Sequence, residues 1–315
     1  MSLVRPNASA IEGRALGALL GLAVGDALGT TLEFTQRDSY THLTDMIGGG
    51  PFELKPGQWT DDTAMALALA ESLCAKPALD EADLMGRFAN WYVHGVNSCT
   101  GTCFDIGNAT RSAIEAWLRS GNPFAGSTDP STAGNGSLMR LAPVAVRHWQ
   151  DPAVLVDVAR RQSATTHGAS QAVEVCERFA RVLAEAISGR DWQAALDGQE
   201  YSQDLAIAAI ISGDWRAKKR SQISSSGYVI HSFEAAFWCV AQTDSFRSAV
   251  LLAANLGDDA DTTAAITGQL AGAVYGAGAI PRPWLDKLAW REDIEALALQ
   301  LFEASLSDGS SQLVR

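Results

Sequence analysis

The sequence predicts an all-α fold, a compact orthogonal multi-helix bundle, on three observations. Apolar residues recur at helical spacing in many segments, and the long alternating runs that are typical of strands are nearly absent. With 47% hydrophobic and 19% charged residues, the 315-residue chain can bury a large core. The nearest strand candidate is the short stretch 227–231. The predicted helices span residues 11–28, 62–75, 80–94, 106–119, 152–163, 169–188, 204–211, 232–241, 245–254, 262–277 and 291–305.

Two of these helices share a glycine pattern. Glycine occupies every fourth position from Gly13 to Gly29 in the first helix, and from Gly268 to Gly276 in the helix 262–277. Residues four apart lie on one side of a helix, and glycine there allows a neighbouring helix to approach closely. We therefore expect both helices to pack tightly in the centre of the fold.

The connecting segments indicate one domain. Segments 41–58, 120–136 and 212–227 are predicted loops, because they are rich in Gly, Ser, Pro or Asp. None has the low complexity of a linker. We predict a single domain over residues 11–305, with flexible termini at 1–10 and 306–315.

Charge and cysteine content exclude several classes of protein. A net charge of −12 disfavours non-specific binding to nucleic acid or to anionic membranes. The five cysteines form no zinc-binding pattern and indicate reduced thiols. The apolar run 15–25 has the length of a signal-peptide core, but Glu12 precedes it, Asp26 interrupts the pattern, and it is too short to span a bilayer. We predict a cytoplasmic protein with no nucleic-acid partner and no membrane insertion.

The motif Trp59-Thr60-Asp61-Asp62-Thr63 precedes an Ala-rich helix and has no basic neighbour in sequence. It has two interpretations. In one, Thr60 caps the helix and the two carboxylates favour the positive end of the helix dipole. In the other, adjacent side chains diverge by about 100° and present one carboxylate to each of two ions.

The motif Gly257-Asp258-Asp259-Ala260-Asp261-Thr262 is harder to explain by capping. Asp259 and Asp261 are two positions apart, so they converge only from an extended turn before the helix. The glycine and glutamate positions of an EF-hand loop are missing. A solvated acidic turn remains the alternative, but two such motifs together favour a shared binuclear site for Mg²⁺ or Mn²⁺, which prefer oxygen ligands.

A Gly/Ser loop around Asn135-Gly136-Ser137 is a candidate phosphate-binding site. Its backbone amides have the composition to hold a phosphate, although a plain surface turn has the same composition. Motifs of P-loop, HExxH and GxSxG enzymes are absent.

Taken in order, these motifs resemble the ADP-ribosylglycohydrolases, including those that reactivate ADP-ribosylated dinitrogenase reductase. The resemblance extends from about Gly17 to Gly276. Its blocks are Gly25-Asp26-Ala27-Leu28-Gly29 with Glu33-Phe34, Trp59-Thr60-Asp61-Asp62-Thr63, Thr100-Gly101-Thr102-Cys103-Phe104-Asp105-Ile106-Gly107, Gly134-Asn135-Gly136-Ser137-Leu138-Met139-Arg140, Thr166-His167, Gly227-Tyr228-Val229 and Leu256-Gly257-Asp258-Asp259-Ala260-Asp261-Thr262.

The resemblance implies an all-α fold with two Mg²⁺ or Mn²⁺ ions at the base of a cleft. Glu33 takes the place of a mobile glutamate that acts as a base or contacts the metals, and Asp105 that of a carboxylate facing the guanidinium side of the scissile bond. The implied metal ligands are Thr60, Asp61, Asp62, Asp259, Asp261 and Thr262. The implied substrate contacts are Asn135, with its neighbour Gly136, and His167 at the ribose, Ser131, Thr132, Ala133 and Gly134 at the diphosphate, and Tyr228 at the adenosine.

Three positions keep a second interpretation. Without the resemblance, Asp105 is an ordinary N-cap for the helix 106–119, and His167 is a capping or core histidine. Many family members carry glycine where this chain has Asp258, so whether Asp258 contacts metal stays open.

The implied activity is metal-dependent cleavage of the N-glycosidic bond between ADP-ribose and arginine of a modified protein, with ADP-ribose as product. Such a bond breaks through an oxocarbenium-like state, which needs an activated water and assistance to the leaving group. Alternative activities are hydrolysis of O-acetyl-ADP-ribose or ADP-ribosyl-serine. A non-catalytic alternative is an ADP-ribose-binding or immunity protein.

Overall fold

The computed structural model describes residues 8–312 and confirms the all-α prediction for that part of the chain. Its helices are α1 (Ala8–Gly29), α2 (Asp61–Ala75), α3 (Glu81–His94), α4 (Asn108–Ser120), α5 (Ala142–His148), α6 (Pro152–Thr166), α7 (Ser170–Ser188), α8 (Trp192–Asp197), α9 (Leu205–Ile211), α10 (Val229–Ala241), α11 (Phe246–Ala254), α12 (Ala260–Tyr275), α13 (Arg282–Lys287) and α14 (Arg291–Gln312). Over residues 8–312 the remaining pairings are isolated bridges.

Helices α1 and α12 form the centre of the molecule. A Cβ on Gly21 would lie 2.2 Å from the carbonyl oxygen of Gly268, and a Cβ on Gly17 would lie 2.3 Å from that of Gly272. The backbones therefore approach as closely as the glycine spacing predicts. The stripe is shorter than predicted: Gly13 has nothing within 4 Å, and Gly276 lies beyond the end of α12.

The apolar character of α1 reflects burial within the protein. By length and composition Ser9–Leu32 could cross a membrane, but 89% of its apolar window is buried inside the fold. It packs against α5, α7, α11, α12 and α14 in one hydrophobic core. This agrees with the interpretation of the run 15–25 as a core helix.

Several predicted boundaries were wrong. Residues 227–231 are not a strand: Tyr228 makes one isolated bridge to Gly134, and α10 begins at Val229. The helix predicted at 106–119 begins at Asn108, because Gly107 before it is extended, with φ −66° and ψ 152°. The helices α5, α8 and α13 were not predicted: α8 and α13 have only six residues, too few turns to show a period, and the seven residues of α5 are all buried.

Both terminal helices extend into the predicted flexible termini. The first was predicted from residue 11, whereas α1 begins at Ala8. The predicted last helix ended at residue 305, whereas α14 continues to Gln312. Residues 1–7 and 313–315 of the predicted flexible termini lie outside the described residues. The single-domain assignment stays a prediction.

Candidate functional site

The N-termini of α2 and α12 lie together and bring the two acidic motifs into one cluster. Asp61 and Asp62 stand in the first turn of α2, and Asp261 stands in the first turn of α12. Glu33 follows the short 3-10 turn after α1, and Asp105 lies in the loop before α4. The positive ends of two helix dipoles therefore face the carboxylates.

The carboxylates form two adjoining groups. Asp61, Asp62 and Asp261 make one group, and Glu33, Asp105 and Asp261 make the other, each with ligand atoms within 4.8 Å of one another. Asp261 belongs to both. Each group has a composition and spacing that could hold a metal ion.

Unpartnered oxygens in this cluster fit a bound cation. Asp62 Oδ1, Asp261 Oδ1 and Glu33 Oε2 are buried and have no hydrogen-bond partner among the described residues. A buried carboxylate oxygen without a donor is costly, and a hard divalent cation is the partner that carboxylates prefer. The donor set therefore fits a metal centre.

Burial and mutual repulsion favour the protonated forms of these carboxyl groups in the metal-free protein. Burial first, and then repulsion from neighbouring carboxylates, raises the pKa of Asp61, Asp62 and Asp261 well above its ordinary value. Burial and the charge of Asp61 raise the pKa of Asp105 to about 8, and burial with the charge of Asp261 raises that of Glu33. The carboxyl groups of Asp105, Glu33 and Asp261 lie close together, with ligand atoms within 4.8 Å of one another.

Thr60 contacts carboxylates and does not cap α2. It occupies the N-cap position but makes no side-chain capping bond. Its Oγ1 lies 2.9 Å from Asp26 Oδ1, 3.2 Å from Asp261 Oδ2 and 3.4 Å from Asp62 Oδ2. The capping interpretation of Thr60 was therefore wrong. From the other motif, Thr262 Oγ1 lies 3.4 Å from the same oxygen of Asp62.

Asp26 supports this cluster, and sequence reasoning assigned it no role. It is fully buried in α1 and accepts four hydrogen bonds, at 2.9 Å each from the N–H and Oγ1 of Thr60, and at 3.0 and 2.6 Å from the N–H and Oγ1 of Thr63. It thereby joins α1 to the start of α2. The sequence did contain a signal for this role: Asp26 is a lone carboxylate in a helix that we expected to pack in the centre of the fold. A buried charge needs hydrogen-bond partners.

Asp258 and Asp259 differ from the other acidic residues. Asp259 lies in neither carboxylate group, and its Oδ2 accepts a 2.6 Å hydrogen bond from Asn135 Nδ2. Asp258 is exposed and adopts φ 61°, a conformation that favours glycine, which explains why glycine suits this position. Its backbone pairs with Phe34 N–H (2.7 Å) and Thr35 C=O (2.9 Å) and so holds the loop that carries Glu33.

A cavity of about 600 Å³ opens over the cluster. Of the predicted site residues, it is lined by Glu33, Asp61, Asp105, Gly134, Asn135, Gly136, His167, Asp259, Asp261 and Thr262. A larger groove of about 990 Å³ runs along α7, but none of the predicted site residues lines it. The cavity over the carboxylates is therefore the candidate active site.

Four predicted substrate contacts lie beside this cavity and do not line it. The Ser131 hydroxyl donates to Asp129 Oδ1 at 2.8 Å, and the Thr132 hydroxyl donates to the Asp129 carbonyl oxygen. Ala133 is buried. The Tyr228 hydroxyl donates to Gln171 Oε1 at 2.7 Å, and its ring stands edge-on to His231. Their roles stay predictions.

His167 presents an N–H to the cavity. The buried Arg140 donates from Nη2 to Thr166 Oγ1 at 2.9 Å, and Thr166 Oγ1 lies 2.9 Å from His167 Nδ1. An arginine only donates, and no other acceptor for the Thr166 hydroxyl is described, so its proton goes to Nδ1. Nε2 then carries the hydrogen on the side of Gly136, where a Cβ would lie 3.0 Å from it.

Comparison with known proteins assigns the chain to a family. A family model described as ADP-ribosylglycohydrolase matches residues 7–310. The chain belongs to the ADP-ribosylglycohydrolase family. This confirms the resemblance predicted from its motifs.

Named relatives and a solved structure share most of this chain. The chain is 50% identical over 292 residues to "ADP-ribosylarginine hydrolase Tri1" of Pseudomonas putida (strain GB-1), which covers 92% of this chain and 78% of that protein. It is 37% identical over 289 residues to the "ADP-ribosyl-(dinitrogen reductase) glycohydrolase" of Rhodospirillum rubrum, which covers 90% and 93%. An "ADP-ribosylglycohydrolase-related protein complex" superposes with a TM-score of 0.85 at 41% identity, over 94% of this chain and 99% of that one.

Proposed function

We propose that this chain is a metal-dependent hydrolase that removes ADP-ribose from arginine of a modified protein. The observation that carries the proposal is the pair of carboxylate groups sharing Asp261 at the base of a cavity, with Asp105 and Glu33 at one side. The arginine linkage is supported by the 50% identical relative from Pseudomonas putida, which is named an ADP-ribosylarginine hydrolase.

We assign the metal centre to two divalent cations, Mg²⁺ or Mn²⁺. Asp261 belongs to both carboxylate groups and would help to hold the cations, together with the unpartnered oxygens of Asp62 and Asp261. The other proposed ligands are Thr60, Asp61, Asp259 and Thr262. Bound cations would act as Lewis acids that orient the ribose hydroxyls and activate water.

Glu33 and Asp105 supply the acid–base chemistry in this proposal. Their carboxyl groups lie together beside Asp261, and burial raises the pKa of both. One oxygen of the pair can accept a proton from the attacking water, while the other hydrogen-bonds the leaving guanidine nitrogen. Two carboxylates with different protonation states suit this division of roles.

The rest of the cavity suits the ADP-ribose half. Gly134, Asn135, Gly136 and His167 line the side of the cavity next to the metal cluster, where the ribose of the scissile bond would lie. The N–H of His167 offers one donor to a ribose oxygen. Ser131, Thr132 and Ala133 stay proposed for the diphosphate, and Tyr228 for the adenosine, at the outer end.

Release of free ADP-ribose from an ADP-ribosyl-arginine protein tests this proposal. We expect release with Mn²⁺ or Mg²⁺, none with EDTA, and a loss on the order of 100-fold in Asp61→Ala. Asp191→Asn, at the exposed start of α8, is the matched control and should retain full activity. Metal-independent release would contradict the metal centre. Release only from ADP-ribosyl-serine or O-acetyl-ADP-ribose would contradict the arginine linkage, and binding without release would indicate a binding protein.

A further inference from the structure

Three phenylalanines form a continuous row at the mouth of the cavity. The ring centroids of Phe34 and Phe52 are 6.4 Å apart at an interplanar angle of 72°, and those of Phe52 and Phe104 are 5.2 Å apart at 60°. Phe34 directly follows Glu33, and Phe104 directly precedes Asp105. We refer to Phe34, Phe52 and Phe104 as the aromatic ledge.

Phe34 occupies this position against two physical preferences. Its side chain is 69% exposed, although a large apolar ring gains free energy by burial. Its backbone adopts φ 55°, which is unfavourable for a residue with a Cβ. The 2.7 Å hydrogen bond from its N–H to the carbonyl of Asp258 holds it there. A bulky residue kept in a strained, exposed position is a candidate for binding.

The place of the ledge indicates what it contacts. Phe34 and Phe52 line the same cavity as Glu33 and Asp105. Those two carboxylates are where the proposed function puts the guanidine of the scissile bond, so the ledge lies where the rest of the arginine side chain leaves the cavity. The faces of phenylalanine rings suit the methylene arm of arginine and attract its guanidinium group.

We propose that the aromatic ledge binds the arginine side chain and the adjoining polypeptide of the modified protein. This rests on the proposed function and goes beyond it, because it assigns a separate surface to the protein half of the substrate. The ledge would favour protein-linked ADP-ribosyl-arginine over ADP-ribosyl-guanidine, which has the same scissile bond but lacks the methylene arm and the polypeptide.

The test measures kcat/KM for both substrates and takes their ratio, protein over ADP-ribosyl-guanidine. We expect Phe34→Ala to lower the ratio about tenfold, the order of effect for losing burial of one phenylalanine ring. Phe34→Gly should lower it equally without a fall in thermal midpoint, since glycine relieves the positive φ. Phe52→Ala should also lower the ratio. Tyr201→Ala removes an aromatic side chain that is 70% exposed and lies outside the cavity lining, so it should leave the ratio unchanged.

Three results would overturn the inference. An unchanged ratio in Phe34→Ala, Phe34→Gly and Phe52→Ala would show that the ledge does not contact the protein half. An equal fall in Tyr201→Ala would show that any lost surface ring has the same effect. A wild-type protein that releases ADP-ribose from neither substrate would instead contradict the proposed function, and the ledge with it, so the two failures are distinguishable.

Discussion

At the residue scale, Asp26 determines how the first acidic motif is held. Its two oxygens accept four hydrogen bonds, two of them from backbone N–H groups of Thr60 and Thr63. In Asp26→Asn, the amide NH₂ must face one of those N–H donors. We expect the free energy of unfolding to fall by about 1–3 kcal/mol, the cost of a buried unsatisfied group, and metal binding to weaken.

Urea denaturation of the metal-free protein measures this effect. Asp80→Asn provides the matched control, because Asp80 caps α3 through Ala82 N–H and Asp83 N–H, and asparagine caps equally well. Equal stability of Asp26→Asn and Asp80→Asn would mean that the four-bond network does not hold α2 in place.

A second prediction at this scale concerns the tautomer of His167. Burial first, and then the charge of Arg140, lowers the pKa of His167 to about 3, so the ring is neutral at ordinary pH. We expect histidine side-chain NMR to show hydrogen on Nε2 from about pH 5 to 9. Thr166→Val removes the donor to Nδ1 and should populate the other tautomer, and Thr166→Ser should restore the first. Hydrogen on Nδ1 in the unaltered protein would contradict the relay.

Spacing alone predicted that the two acidic motifs meet, whereas Glu33 and Asp105 were singled out by the family resemblance. Asp61, Asp62 and Asp261 meet because α2 and α12 begin at the same place, and Glu33 and Asp105 lie beside Asp261. The role of Asp26 was not predicted, because a local pattern does not show which side chains a buried carboxylate will meet. The capping interpretation of Asp105 was wrong, because the N-cap of α4 is Gly107, two residues later.

At the element scale, the contact between α1 and α12 sets the position of both acidic motifs. In Gly21→Ala the new methyl group would lie 2.2 Å from a backbone oxygen of Gly268, so the helices must separate. We expect a loss of about 1–3 kcal/mol in unfolding free energy, the usual cost of overpacking, with weaker metal binding because the motifs move apart.

Gly13→Ala provides the control within the same helix. Nothing lies within 4 Å of a Cβ at Gly13, so alanine should add about 1 kcal/mol through helix propensity alone. Chemical denaturation of the two variants should therefore give changes of opposite sign. A gain of stability in both would show that the glycines are not needed for the close approach.

Helical periodicity was a reliable guide only for the longer elements. The amphipathic helix α7 was predicted to within one residue of its observed bounds, since nineteen residues give five turns of a consistent pattern. Helix α5 was missed because all seven of its residues are buried, which leaves no polar face to define a period. The start of α10 at Val229 was missed because its β-branched residues suggested a strand.

At the scale of the whole molecule, the acidic cluster makes stability depend jointly on pH and metal. The pKa of Asp61, Asp62, Asp105 and Asp261 is raised in the folded, metal-free protein, to about 8 for Asp105. The folded state therefore holds protons that the unfolded chain releases near pH 4. Stability from these groups is fully present below the unfolded pKa and is lost as pH rises through the folded values.

We expect the thermal midpoint of the EDTA-treated protein to fall between pH 5 and pH 8. A divalent cation binds the deprotonated carboxylates and not the unfolded chain, so the midpoint increase with Mn²⁺ or Mg²⁺ should grow over the same interval. Asp261→Asn removes the carboxylate shared by both groups, so both trends should become weaker. Thermal scans at each pH, with and without metal, measure this. A metal-free midpoint that is constant or rises from pH 5 to 8 would contradict the raised pKa values, and an equal metal effect at every pH would contradict binding to these carboxylates.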